Sequence, residues 1–252
     1  MTELTAADVA PTAPVPPRRG AQRVISRSPR PRRRWPRRER WALAGLLTLA
    51  AVPVLAGAMR MTELAGGPEI TEANARFVTS PVPVVVHVVS ATTYLVLGAF
   101  QMAPTYRRRH LRRHRLTGRV LAPAGVLTAL SGLWMAFAYD IPAPSGAALA
   151  WVRAVVGVTM VAFLVLGVRD VVRGDVARHR AWMIRAYALA AGAGTQVLTN
   201  IPLAVLTPTP TEAQLTTAMT AGWVLNAAVA EVVIRRGGRR RHRSARRPAV
   251  TA

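Results

Sequence analysis

Long apolar runs separated by blocks of arginine leave this chain very few folds to adopt. All 34 basic side chains are arginine, and 31 of them fall in residues 1–40, 103–119, 169–185 and 235–252. Only Arg60, Arg76 and Arg153 lie elsewhere. Six apolar stretches intervene, near 41–59, 82–103, 119–139, 151–169, 185–206 and 214–234. Each is long enough to cross a bilayer core, which takes about 20 mostly apolar residues. The links 60–81, 140–150 and 207–213 are poor in arginine and carry Glu63, Glu69, Glu72, Asp140 and Glu212. Arginine concentrated in every second connection is the positive-inside pattern. The expectation is an all-α, polytopic bundle of six transmembrane helices, with 104–118, 170–184 and both termini on the cytoplasmic side.

A net charge of +23 could belong to a nucleic-acid binder, yet 51% of the residues are hydrophobic. A soluble basic domain spreads its arginines over amphipathic faces. Here they are expelled from the apolar runs, so the charge reads as topology plus attraction to anionic lipid head groups. The bilayer is the expected partner, and nucleic acid is not. The chain has no cysteine, which excludes disulfides, thiolate catalysis and Cys-ligated zinc or iron–sulfur centres. Residues 1–40, rich in proline and arginine, are expected to be a disordered tail, as are residues 237–252 after Gly237-Gly238. The membrane domain is then 41–236. A second reading of the first run places a signal-peptidase site at Ala56-Gly57-Ala58, which would leave five spans. A mature protein beginning at Met59 would establish it.

Polar residues inside the spans are the candidates for chemistry, because hydrocarbon tolerates them only when they face the bundle or a cavity. On the second span His87, Ser90, Tyr94, Gly98 and Gln101 share one face at helical spacing. Such a stripe serves either interhelical hydrogen bonding or a cofactor or proton relay. Thr195, Gln196, Thr199 and Asn200 cluster on the fifth span, and Asn226 and Glu231 lie on the sixth. A carboxylate such as Glu231 needs a cation at matching depth, and Arg185 or Arg119 qualifies. His114 and His179 sit in similar words, His114-Arg115 before Arg119 and His179-Arg180 before Trp182 and Arg185, each leading into an outward-running span. Imidazoles there could ligate haem, while the guanidiniums held propionates, phosphates or lipid head groups. The alternative is an arginine-rich interface anchor with incidental histidines, which is the reading for His110 and, in the tail, His242.

These words together resemble a known family. His87, Gln101, His114-Arg-x-x-Gly118-Arg119, His179-Arg-x-Trp182-Met183-x-Arg185-x-Tyr187, Trp223-x-x-Asn226 and Ala230-Glu231 are similar to the bacterial membrane family catalogued as domain of unknown function 2306. The resemblance covers about residues 41–236 and implies a small multi-pass protein of the bacterial plasma membrane, without a settled biochemical role. One departure is Gln196, where such proteins often carry arginine.

Three functions compete. A haem b electron carrier would use inward histidines of a helical bundle. His87 lies about 20 Å from the inner end of its span at 1.5 Å per residue. It therefore cannot share an iron with His114 or His179, and an outer haem would need Met135 or Met219 opposite His87. A transporter would use the midplane polar groups and the interruptions at Pro123, Gly192, Gly194 and Pro202, although small residues also serve close packing. A lipid-binding or assembly component would need only the arginine-rich loops. An enzyme is poorly supported: no HExxH, no paired intramembrane carboxylates and no phosphate-cradling loop occur, and although Arg180, Trp182 and Arg185 could grip a phosphate, gripping is not catalysis.

Overall fold

A computed structural model describes residues 35–141 and 143–245, the side chains of 240–245 apart. The chain divides at Trp35, and the first unit, Met1–Arg34, lies outside the described residues together with most of the tail expected to be disordered. The second unit is helical: α1 (Arg37–Ala65), α2 (Ala75–Thr79), α3 (Pro81–Met102), α4 (Pro104–Arg109), α5 (Leu111–Ala138), α6 (Ala147–Val172), α7 (Val176–Ala190), α8 (Gly192–Leu206) and α9 (Glu212–Ala245). Five are long and apolar enough to cross a membrane, namely α1, α3, α5, α6 and α9 over Glu212–Arg239. The pair α7 and α8 supplies a sixth if it is one span, bent by 43°.

The helices outrun the apolar stretches that announce them. The third span is expected from residue 119, but α5 begins at Leu111 and carries Arg112, Arg113, His114, Arg115 and Arg119 in its first turns. The fifth is expected from 185, but α7 begins at Val176, where Asp175 accepts the Arg178 backbone N–H at 2.9 Å. Likewise α9 runs through Gly237-Gly238 to Ala245, into the segment expected to be disordered; 246–252 lie outside the described residues. Hydropathy marks where the apolar part of a helix starts, whereas arginine is itself a good helix former. His114, Arg115, His179 and Arg180 therefore stand on helices, not in loops.

Neighbouring helices close a ring: α1 packs on α3, α3 on α5, α5 on α6, α6 on α7, and α8 on both α9 and α1. One end gathers the acidic links, where the Tyr139 hydroxyl donates to the Ser80 carbonyl at 2.6 Å and the Ala148 N–H to Glu212 at 3.1 Å. The other end is arginine-rich, and there Glu39 of α1 accepts from the Thr105 backbone and hydroxyl of α4. Trp134, Phe137 and Trp151 face outward near the acidic end, as aromatic residues do at a membrane interface.

The middle of the bundle is filled by two tyrosines. Tyr94 of α3 and Tyr187 of α7 lie 6.0 Å apart between ring centroids, and the Tyr187 hydroxyl donates to the Leu95 carbonyl at 2.9 Å. Each ring lies against a glycine: a Cβ on Gly98 would come 2.7 Å from Tyr187, and one on Gly125 would come 2.8 Å from Tyr94. Beyond this layer the packing changes. α7 follows α6, but after Ala191 the chain bends and α8 lies on α9 and α1 instead. Gly192 and Gly194 permit the bend and the close approach, since a side chain at Gly194 would meet the Leu49 carbonyl of α1 and one at Gly192 the Trp223 indole of α9. Between the bend and α6 a space stays open.

Candidate functional site

That space is a cavity of about 750 Å³ in the acidic half of the bundle, within the size range of small-molecule sites. Its walls come from α1, α3, α5, α6, the α7–α8 bend and α9. The three arginines outside the four blocks, Arg60, Arg76 and Arg153, all line it, and none of its lining residues is Asp or Glu. At the mouth Arg60 pairs with Glu63, and the guanidiniums of Arg60 and Arg76 lie 4.2 and 4.4 Å from the centre of the Phe77 ring. Phe77 stands edge-on to Tyr139. The mouth is thus cationic and aromatic.

Further in, His87 stands six residues past Pro81 and Arg153 six past Ala147, so each lies about 9 Å along its helix from the acidic end. His87 Nδ1 is 3.0 Å from the Thr128 carbonyl and 3.1 Å from the Ser131 hydroxyl of α5. A carbonyl only accepts, so Nδ1 carries the proton and Nε2 is left as an acceptor. No hydrogen bond, ion pair or ring contact holds Arg153 among the described residues. Gln196, whose amide donates to the Met219 carbonyl at 3.1 Å, and Trp223 complete the polar lining on the far wall. The cavity floor reaches Met160, thirteen residues into α6 and about 20 Å from its start.

The stripe on α3 faces inward along its length. Ser90 receives the Thr128 hydroxyl at 3.0 Å, Tyr94 and Gly98 meet Tyr187, and Gln101 grips His114 through both its amide oxygen and its nitrogen. His87 alone of these five borders the cavity.

The two repeated words become two similar hairpin clasps at the arginine-rich end. His114 Nδ1 reaches back to Gln101 near the end of α3, and His179 Nδ1 reaches back to the Gly167 carbonyl of α6 at 2.8 Å. Each imidazole joins the two helices of its own hairpin. They lie within electrostatic reach of each other. Trp182 donates its indole N–H to Asp170 at 3.0 Å, and Asp170, 3% exposed, also holds Arg169 at 3.2 Å. Arg185 stacks over Trp182 at 4.8 Å and pairs with Glu231 through two bonds, 2.5 and 3.0 Å. Of the two cations proposed for Glu231, the structure therefore selects Arg185, while Arg119 is exposed along with Arg115. Arg180 lies against Gly237 of α9. Asn226 accepts from Thr195 at 2.9 Å and donates to the Ala188 carbonyl at 3.1 Å, tying α9 to the bend.

Sequence reasoning passed over Arg153, Asp170 and Glu39. Arg153 did carry a signal, since it breaks the arginine pattern inside an apolar run. Asp170 beside Arg169 reads as ordinary loop charge, and Glu39 is hidden among the arginines of the leader.

Apolar helices of this length, joined alternately through an acidic and an arginine-rich end, define an integral, multi-pass membrane protein. The chain belongs to the family described as predicted membrane protein (domain of unknown function 2306), which it matches over residues 84–234, from the second turn of α3 into α9. No curated protein and no solved structure matches it.

Proposed function

We propose that the chain is a membrane-embedded binding protein or carrier whose site is the cavity around His87, in a bacterial plasma membrane with the arginine-rich end and both termini cytoplasmic. The observation that carries the reading is the cavity itself: a space of about 750 Å³ beside the bend at Ala191, lined by apolar side chains with a few convergent polar ones. In this orientation it opens away from the cytoplasm, and the arginine-rich end binds anionic lipid head groups. The haem reading draws less support. His114 and His179 each spend Nδ1 within a hairpin, and the large cavity lies at the other end, where His87 is its single histidine. Of the two methionines considered opposite His87, Met135 lines the cavity, whereas the Met219 sulfur receives the Asn200 amide at 3.6 Å.

Single cysteines test the site cleanly because the chain has none of its own. Ala129→Cys and Ala136→Cys line the cavity and are expected to react with a charged, membrane-impermeant thiosulfonate added to the non-cytoplasmic face of intact cells. Val165→Cys, on the outer surface of α6, is expected to stay unlabelled in the bilayer. Adding Val156→Trp, which narrows the cavity from α6, should slow both cavity reactions. If neither cavity cysteine reacts, or if both react only from the cytoplasmic face, the proposal is wrong.

A further inference from the structure

The ligand chemistry follows from the charge balance of that cavity, and the inference rests on the binding role just proposed. We infer that the cavity binds an amphiphilic anion, a molecule with one carboxylate or phosphate head and an apolar body, and that Arg153 holds the head.

Three observations converge on this. The lining contains three arginines and no carboxylate, and Glu63 at the mouth offsets Arg60 alone, so an entering anion meets a net positive field in low-dielectric walls. Two of the three are already engaged at the mouth, Arg60 with Glu63 and Phe77, and Arg76 with Phe77. Arg153 is not, although it stands about 9 Å along α6 from its acidic end, inside an apolar helix where an unpaired cation is costly and an ionisable group marks a ligand or ion path. An arginine on the lipid face would snorkel to the head groups; Arg153 borders the cavity, and its planar fork matches a carboxylate or phosphate.

The size of the guest is set by the same helix. From Arg153 to Met160 is seven residues of α6, about 10 Å, and Val156, Gly157 and Met160 on that path are apolar. Leu95, Ala129 and Ala190 continue the apolar wall from the opposite helices. A charged head at Arg153 with a short acyl chain or a ring system beyond it fills the cavity; a free inorganic ion or a sugar does not.

The test uses the full chain in nanodiscs of zwitterionic lipid, with two fluorescent probes, a dansyl-labelled medium-chain fatty acid and its neutral primary amide. The acid is expected to bind the protein tighter than the amide by about tenfold or more, the loss associated with one charge-assisted hydrogen bond. Arg153→Gln should bring the acid down to the affinity of the amide and leave the amide unchanged, which also shows that the variant is folded. Arg153→Lys should retain most of the preference. Displacement by dodecanoate or by dodecyl phosphate tells which oxyanion is favoured, and either result supports the inference. Equal binding of acid and amide, or an Arg153→Gln variant that weakens both alike or neither, overturns it while the cavity reading stands. Failure of Val156→Trp to reduce binding of either probe overturns the cavity reading itself.

Discussion

Gly194→Val should cost this bundle about 3 kcal/mol, near the upper end for overpacking, because the new side chain would meet backbone rather than a movable side chain. The atom in its way is the Leu49 carbonyl of α1. α8 touches little of α6, so its seat on α1 and α9 is what fixes the bend and keeps the cavity walls apart. The variant is therefore expected to lower the melting temperature in detergent by several degrees and to change the labelling of Ala129→Cys in the same preparation. Gly45 supplies the control. It lies in α1 itself, where a Cβ meets nothing within 4 Å, so Gly45→Val should cost nothing and gain at most roughly a few tenths of a kcal/mol from the better helix propensity of valine over glycine. Equal melting temperatures for the two variants would mean that α8 does not seat against α1 as described.

The second large effect belongs to the Arg185–Glu231 pair, which ties α7 to α9. Arg185→Ala leaves a carboxylate near the membrane interface without its cation. Breaking a buried pair by removing one partner costs several kcal/mol. This pair is 26% and 37% exposed, so solvent screening reduces the expected loss to about 2 kcal/mol. The informative comparison is Arg185→Ala with Glu231→Gln added: removing the stranded charge should recover part of the lost stability. A double variant that melts at the sum of the two single losses would show that the two groups do not act as a pair. Trp182 should feel the change as well, since Arg185 stacks on its ring, and the fluorescence of a variant that keeps Trp182 as its single tryptophan gives an independent reading.

Which parts of this molecule are legible without its coordinates depends on how local the physics is. The apolar runs mark spans because a bilayer demands about 20 apolar residues in succession, and that demand involves no partner. The inward face of α3 is legible for the same reason: His87, Ser90, Tyr94, Gly98 and Gln101 recur at helical spacing, and lipid excludes such a stripe. Their partners are not legible. Nothing in the spacing says that Gln101 meets His114 or that Tyr187 lies on Gly98, since those contacts join residues 13 and about 90 positions apart.

Helix ends show the limit of hydropathy. Leu111 to Gly118 and Val176 to Ile184 are helical although several of their residues are arginine, so the two histidines that looked like loop ligands are clasps between helices. Asp170, beside Arg169 at the end of an apolar run, carries no signal of burial in the sequence, yet it is among the most buried polar groups described.

The sequence alone determined an all-helical chain with apolar spans, an acidic and an arginine-rich set of connections, and three arginines out of place. Tertiary structure alone decided that the chain bends by 43° between α7 and α8 and that a cavity lies beside the bend. It also decided that Arg60, Arg76 and Arg153, scattered along the chain, border that one space. The reason is physical: hydrophobicity is paid residue by residue along a helix, whereas a cavity exists only where several helices fail to meet.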